Sequence, residues 1–569
     1  MSKTRLILNP TSITSYIDGQ QLLNVSKVSL DEGAVYGLVG PNLSGRSAFL
    51  RLIGGGLLAC KPLAIGETMD SIQLGDSVEP LDPSRHSVYL DPSPYRSVSG
   101  LTATVAEELK MHARLRDASV RIEHQYGCHD LASMFQIESY EDQCPLGLSG
   151  GQAAAVALSS GLLLSRLIVC VDDALSQLDY RLHAVAWKVL RSYARAGGIV
   201  LVADNQYDLM AQFADHLLVF ENTNLVACEP TDVGFRRQRV VEQVTVPVVT
   251  QFAQSLGIKS DQLPVRYEGL QGKMTGFSPM APPDYPPGIV LSQWTIRTQG
   301  LTFRYGPGHG ALVLENLDLT LPGGRVIALL GNNGAGKSTL CKLLNGLYRA
   351  QGSISIGGQD FIPYDSPGQQ VAYSFQDPDA QLFLSTVREE IAFGPRQLGM
   401  SRQQTEAAVA DVLERFYLAT LAEQHPLDLP YSLRKRVSTA SAFAARRPWT
   451  VLDEPTIGQD PLFCEQLRRS VIESQQAGSG FIVISHDIDF VLEYSDWVVV
   501  LERGQLAWSG PITEYVKSNG ASDLPSSLPM RLCRDLGWPI EQPSRAALIE
   551  RFPDRSFATN ALVCRGDIQ

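Results

Sequence analysis

Nine consecutive residues, Gly331-Asn332-Asn333-Gly334-Ala335-Gly336-Lys337-Ser338-Thr339, carry the densest chemistry in the chain. They match the phosphate-loop pattern G-x-x-x-x-G-K-[ST]. Glycines at these places let backbone N–H groups turn inward onto phosphate oxygens. A helix that starts there points its positive end at the same spot. Lys337 is then placed for the β- and γ-phosphates of a nucleotide, and the Ser338 hydroxyl for Mg2+. The plain alternative is a glycine-rich turn between strand and helix. Lys-Ser-Thr after the last glycine and the apolar run Val326–Leu330 before the first argue against it. Asp453, followed by Glu454, lies 122 positions beyond Gly331, at the end of a second apolar run. An Asp-Glu pair at a strand end is by itself most often a solvated turn. After a phosphate loop it is the expected partner: Asp453 for a Mg2+ contact, Glu454 as general base or positioner of the attacking water. Gln376 in Ser-Phe-Gln-Asp-Pro is placed to reach the metal and the water, and His486, after the run 481–485, to contact the γ-phosphate.

The elements that must hold these residues occur twice. Gly40-Pro-Asn-Leu-Ser-Gly45-Arg46-Ser47 follows the apolar stretch Ala34–Val39, as the first loop follows Val326–Leu330. Gly40 and Gly331 stand 291 positions apart. Later pairs are closer: Leu148 with Leu429, Asp172 with Asp453 and Asp179 with Asp460 at 281, Asp204 with His486 at 282. Thr104-Val-Ala-Glu-Glu108 answers Thr386-Val-Arg-Glu-Glu390, also at 282. Short apolar runs alternate with helical stretches in each copy, and the motifs sit at strand ends. That pattern predicts an α/β fold with a largely parallel sheet, plus a smaller helical region near 95–150 and 380–435. Ser278–Gly288 holds five prolines in eleven residues and reads as an extended linker. The expected domains are 1–225, an appendage and linker over 226–290, 291–512, and an appendage over 513–569. Phe252–Gly257 and Leu532–Gly537 echo each other as small helical appendages.

Composition narrows the classes. The 569 residues exceed one core and fit two to four domains. With 44% apolar and 19% charged residues, the chain is globular rather than disordered. Net charge −12 disfavours a surface built for nucleic-acid phosphates. No run of ~18 apolar residues reads as a membrane span, and the start lacks a secretory h-region. Nine scattered Cys without Cys-x-x-Cys fit reduced thiols in a cytosol.

Taken together, the phosphate loop, Gln376, Asp453-Glu454-Pro455, Asp460 and His486 resemble the nucleotide-binding domain of ABC ATPases. Phe375-Gln-Asp-Pro-Asp-Ala-Gln-Leu-Phe383 and Thr386-Val-Arg-Glu-Glu-Ile-Ala-Phe-Gly394 resemble the ATPases of energy-coupling factor importers for vitamins and cobalt or nickel. The resemblance implies ATP and Mg2+ as cofactors, two tandem P-loop domains, and Tyr305 as the aromatic that stacks on adenine. It identifies Leu148-Ser149-Gly150-Gly151-Gln152 as an intact signature motif. The other motifs of the first half depart from the family. Arg46 replaces Lys, with a planar fork that is not interchangeable with an ammonium. Leu90 is read in place of the Gln, Asp173 in place of the catalytic Glu, and Asp204 in place of the His. Gly40, Gly45, Ser47 and Asp172 survive, which leaves nucleotide binding without turnover open. In the second half Leu429-Pro-Tyr-Ser-Leu433 replaces the signature; Pro430 lacks an N–H, and Tyr431 has a side chain where glycine allows close approach.

In the family two domains close head to tail, each nucleotide between one domain's loop and the other's signature. That arrangement implies that Lys337, Ser338, Gln376, Asp453, Glu454 and His486 face Ser149, Gly150, Gly151 and Gln152. All departures then fall in the other site, which gives a pseudo-dimer with one hydrolytic and one degenerate site. The expected role is a transporter motor at the cytoplasmic face of the cell membrane. Its expected partners are an integral membrane coupling subunit and a substrate-binding membrane subunit, with no nucleic acid. Asp377, Asp379 and Asp91 are candidates to receive a basic docking helix. The alternatives are an ATPase of another ABC class and a soluble twin-ABC translation factor. The latter usually keeps both catalytic Glu residues and a charged helical linker.

Overall fold

The computed structural model describes residues 5–15, 21–55, 63–65, 72–74, 81–116, 122, 126–237, 246–255, 258, 262–274, 293–306, 312–361, 363–485, 487–518 and 528–536. The chain divides into two compact units, Met1–Lys273 and Met274–Gln569. The proline-rich linker lies outside the described residues.

Each unit is built on a central sheet. In the second unit its order is Val371–Ser374, Trp449–Asp453, Gly480–Ile484, Val326–Leu330, Trp497–Glu502, Gln505–Pro511. The first five strands run parallel and the last is antiparallel. The first unit repeats this core with Ser87–Leu90, Ile168–Asp172, Ile199–Ala203, Val35–Val39, His216–Glu221 and Asn224–Pro230. That sheet continues into Gln21–Val25, Thr11–Ser15 and Leu63–Ile65. In the second unit a separate antiparallel sheet holds Ile296–Arg304, Leu312–Leu321, Gln351–Ile356 and Gln359–Phe361.

The central strands are buried end to end because both faces are covered, as parallel strands require. Alternation sorts their side chains. Ala328, Leu452 and Val483 point into a core with the helical layers, which includes Phe416 and Phe463. Ile327, Val451 and Ile482 point into a second core with the antiparallel strands, closed by Leu314 and Trp449. Val169 and Val202 against Cys170 and Leu201 make the same division in the first unit. The helical region contains Val387–Gln397 and Arg402–Arg415 in one unit, Val105–Arg114 and Cys128–Met134 in the other. Appendage residues join these cores: Val246 and Val265 in the first unit, Met530 in the second.

Candidate nucleotide site

The phosphate loop leaves the C-terminal end of Val326–Leu330, and helix Lys337–Asn345 starts where it ends. Ligands of open α/β sheets bind beyond this edge. Gly331 has φ +145°, and a Cβ there would collide with the carbonyl oxygen of Leu501 on the adjacent strand. Only glycine lets the chain turn so close to its neighbour. Lys337 is buried, and its Nζ donates to the carbonyls of Gly331 (2.7 Å) and Asn332 (3.1 Å). Tyr305 is 41% exposed. It packs edge-on against Phe303 and Tyr348, with its hydroxyl 3.1 Å from Thr339 Oγ1. Thr339 follows Ser338 on the helix's first turn, so the candidate adenine aromatic and the loop are joined directly.

Asp453 ends Trp449–Asp453, two strands from the loop strand. Tyr373 donates its hydroxyl to Asp453 Oδ2 at 2.6 Å, while Oδ1 is buried with no hydrogen-bond partner among the described residues. An unmatched buried carboxylate oxygen costs about 1–3 kcal/mol and suits a cation. In the first unit the equivalent Ser47 hydroxyl donates to Asp172 Oδ1 at 2.9 Å, so these two sequence positions adjoin. A serine hydroxyl next to an acidic strand end fits Mg2+, which takes few protein ligands and leaves room for water and phosphate. Glu454 is buried at φ +49°, and its N–H donates to the Ile484 carbonyl at 2.9 Å. Asp173 repeats that geometry, also at φ +49°, its N–H 2.9 Å from the Ala203 carbonyl. The strained backbone is the same in both units; the carboxylate is one methylene shorter. Burial pushes the Asp173 carboxyl up to about 7, helped by Asp172 and Asp204 and opposed by the Arg46 guanidinium. Arg46 is buried and its Nη2 lies 3.4 Å from Asn42 Oδ1.

Ser149 caps helix Gly150–Leu163, whose first residues include Gly150, Gly151 and Gln152. The Gln152 side chain accepts the Ser149 N–H at 3.0 Å. In the second unit Pro430 precedes helix Tyr431–Ala444 and supplies no side-chain cap. His486 lies outside the described residues.

The structure corrects two readings. Ser87–Leu90 pairs with Ile168–Asp172 as Val371–Ser374 pairs with Trp449–Asp453, which sets Leu90 opposite Ser374 in the comparison. Pro92, not Leu90, takes the place of Gln376. It too has no polar side-chain atom, and Leu90 is a core residue. Ile199–Ala203 matches Gly480–Ile484, so Asp204 takes the place of Ser485 and Asn205 that of His486. Both Asp204 and Ser485 accept an N–H two residues on, from Gln206 and Asp487, each at 3.1 Å. The Asp204 carboxylate turns away into the core, accepting from His183 Nε2 (2.6 Å) and Trp187 Nε1 (2.8 Å). It therefore places no anion at a γ-phosphate position. The acids offered for docking also have partners within their own units. Asp379 pairs with Arg434 at 2.7 Å, and Asp377 and Asp91 accept N–H groups two residues on.

Leu43 escaped the sequence reading. It holds φ +63° at the position of Gly334 and is 61% exposed. Placing the two loops residue by residue would have revealed a leucine in a conformation that favours glycine. Lys435 was also missed, hidden inside the altered signature helix.

The sequence pattern of the ABC transporter family matches residues 23–176 and 314–457. A Methanosarcina acetivorans protein named as an ABC transporter ATP-binding protein is 27% identical over 564 residues, spanning 92% of this chain and 88% of its own length. The energy-coupling factor transporter ATP-binding protein EcfA of Methanosphaera stadtmanae is 36% identical over 225 residues, 38% of this chain and 80% of that protein. The structure of cbiO1 from Clostridium perfringens, part of the ABC transporter complex cbiONQ, is 28% identical, covers 40% of this chain and 92% of its own, and has a TM-score of 0.36. With both units matched over more than half the chain, the protein belongs to the ABC transporter family, as an ATP-hydrolysing, ATP-binding subunit with two such domains in tandem.

Proposed function

We propose that the chain is the motor of an energy-coupling factor type importer for a vitamin or metal ion, with one hydrolytic and one degenerate ATP site. The observation that carries the two-site reading is the sorting of departures. Lys337, Gln376, Glu454 and His486 stand in the second unit, opposite in function to the intact Ser149-Gly150-Gly151-Gln152 of the first. Arg46, Pro92, Asp173 and Asn205 belong with the altered Pro430-Tyr431-Ser432-Leu433. Head-to-tail closure of the two units puts every departure in one site, and random decay would scatter them.

At the hydrolytic site the loop N–H groups and Lys337 hold the phosphates. Ser338, Asp453 and Gln376 are the residues that would hold Mg2+, which when bound would supply positive charge against the phosphates. Glu454 orients the attacking water and accepts its proton, and His486 contacts the γ-phosphate. The Ser149 hydroxyl and the N–H groups at the head of Gly150–Leu163 complete the cage from the other unit. The importer reading is supported by the resemblance to EcfA, and it makes a membrane coupling subunit and a membrane substrate-binding subunit the partners at the cytoplasmic face. Among the described residues no helix is long and apolar enough to cross a membrane.

Two variants test the site. Glu454→Gln abolishes steady-state ATP hydrolysis, whereas Asp173→Asn leaves it within about twofold. Loss of most activity in Asp173→Asn would overturn the two-site reading. A tagged pull-down from detergent-solubilised membranes tests the role: an integral membrane partner supports the importer, and ribosomal proteins point to a translation factor.

A further inference from the structure

Helix Tyr431–Ala444, which carries the altered signature, opens with three buried cations, Arg434, Lys435 and Arg436. Each is tied to a different loop of its own unit. Arg434 pairs with Asp379, three residues beyond Gln376. Arg436 donates to Gln459 Oε1 at 2.9 Å and Asp460 Oδ2 at 3.0 Å. Lys435, fully buried, donates to three backbone carbonyls: Phe375, Gln376 (3.1 Å) and Asp453 (2.6 Å).

An ammonium has three N–H groups and no acceptor, so three carbonyls use it completely. The carbonyl of Asp453 belongs to the peptide that joins Asp453 to Glu454. The carbonyls of Phe375 and Gln376 belong to the peptides on either side of Gln376. One side chain therefore grips the backbone that aims the acidic pair and the backbone that aims the glutamine. Burying a lysine for packing alone is costly, since an apolar residue fills the same space without desolvating a charge. The first unit carries no cation there: Ala153, Ala154 and Ala155 stand at the three positions. There the Pro92 carbonyl accepts instead from the Gln177 side chain, at 3.1 Å.

We propose that Lys435 is a positioning residue of the hydrolytic site, locking the Asp453–Glu454 peptide and the Gln376 segment into one rigid piece. The altered signature helix thus braces the catalytic loops of its own unit. The proposal rests on Glu454 and Gln376 acting as described under Proposed function.

The test uses the full chain with Lys435→Met, of similar length without donors, and Lys435→Gln, which retains two N–H donors. ATP hydrolysis is measured as kcat and KM, with kcat expressed per ADP-binding site so that misfolded protein does not count. Misplacing catalytic groups by ~1 Å costs on the order of 10²-fold, so Lys435→Met is expected to lose roughly that in kcat with KM within about threefold. Lys435→Gln is expected to recover about tenfold of the loss. A Lys435→Met enzyme with kcat per site within about twofold of wild type overturns the proposal, as does a loss confined to KM. If Lys435→Met does not fold, Lys435→Gln decides alone: a lowered kcat at unchanged KM supports the role, and wild-type kcat overturns it. Glu454→Gln run in parallel separates the two levels. Activity surviving in Glu454→Gln refutes the site reading itself. An inactive Glu454→Gln beside an active Lys435→Met refutes only the positioning role.

Discussion

Asp204, which motif order sets in place of the His, is instead a buried anchor. Burial alone pushes its carboxyl up, but the charge and hydrogen bond of His183, with N–H groups from Gln206 and Trp187, hold it below the ordinary range. A carboxyl with a lowered folded pKa stabilises the fold above its unfolded pKa of 3.8, and that contribution is lost as pH falls through the folded value. Asp204→Asn is therefore expected to destabilise the first unit by about 1–3 kcal/mol at pH 7, the deficit shrinking below about pH 4. Denaturant titrations at the two pH values check this, and an equal deficit at both would refute the charged anchor. At this scale the catalytic types were legible because Gly-x-x-x-x-Gly-Lys-Ser and Asp-Glu keep their spacing whatever surrounds them. Lys435 was illegible because its three partners are backbone carbonyls, which leave no mark in a sequence.

The repeat is also legible, but its register drifts. The offset is 291 at the phosphate loops, 284 at Ser87–Leu90 against Val371–Ser374, 282 at Thr104, and 281 from Leu148 onward. Strand pairing rather than motif matching fixes the true partners, and both motif residues concerned, Gln376 and His486, lie two places beyond a strand end. The Thr-Val-x-Glu-Glu repeat acquires a reason. Thr104 and Thr386 cap their helices by accepting the N–H of Glu107 and Glu389, at 3.2 and 3.1 Å. The last glutamate turns inward: Glu108 accepts from Ser99 and Thr102, Glu390 from the N–H groups of Phe383 and Leu384. This pins the loop after Gln376 to helix Val387–Gln397. Glu390→Ala strands two N–H groups and is expected to cost about 1–3 kcal/mol, read as a lower melting temperature. At the other signature, Ser149→Arg puts a bulky cation at the head of Gly150–Leu163. It is expected to abolish hydrolysis at the second unit's loop; undiminished turnover would count against head-to-tail closure.

Across the whole molecule, two copies of one fold have taken unequal parts. The covered faces of each central sheet leave the strand ends as the place where polar chemistry can gather, and there the units diverge. Length and composition pointed to several domains but carried no trace of the division of labour proposed between the two copies. The proposed division predicts one hydrolytic event per closure. Nucleotide trapping is the measure: in Glu454→Gln, ATP retained at the second unit's loop stays unhydrolysed, and Arg46→Ala changes occupancy of the first loop without altering turnover more than about twofold.

Asp173 and Glu454 share the same positive φ and the same N–H bond to the neighbouring strand. On the two-site proposal, that scaffold for a second catalytic carboxylate is kept while the departures lie at Asp173, Arg46, Pro92 and Asn205 and, in the second unit, at Pro430 and Tyr431. Asp173→Glu by itself restores a side chain but no site, so a one-step mutation back to symmetry gains nothing that selection could see. Departures at six positions on two units would act as a ratchet, and the proposed asymmetry is locked by the number of simultaneous changes its reversal would need.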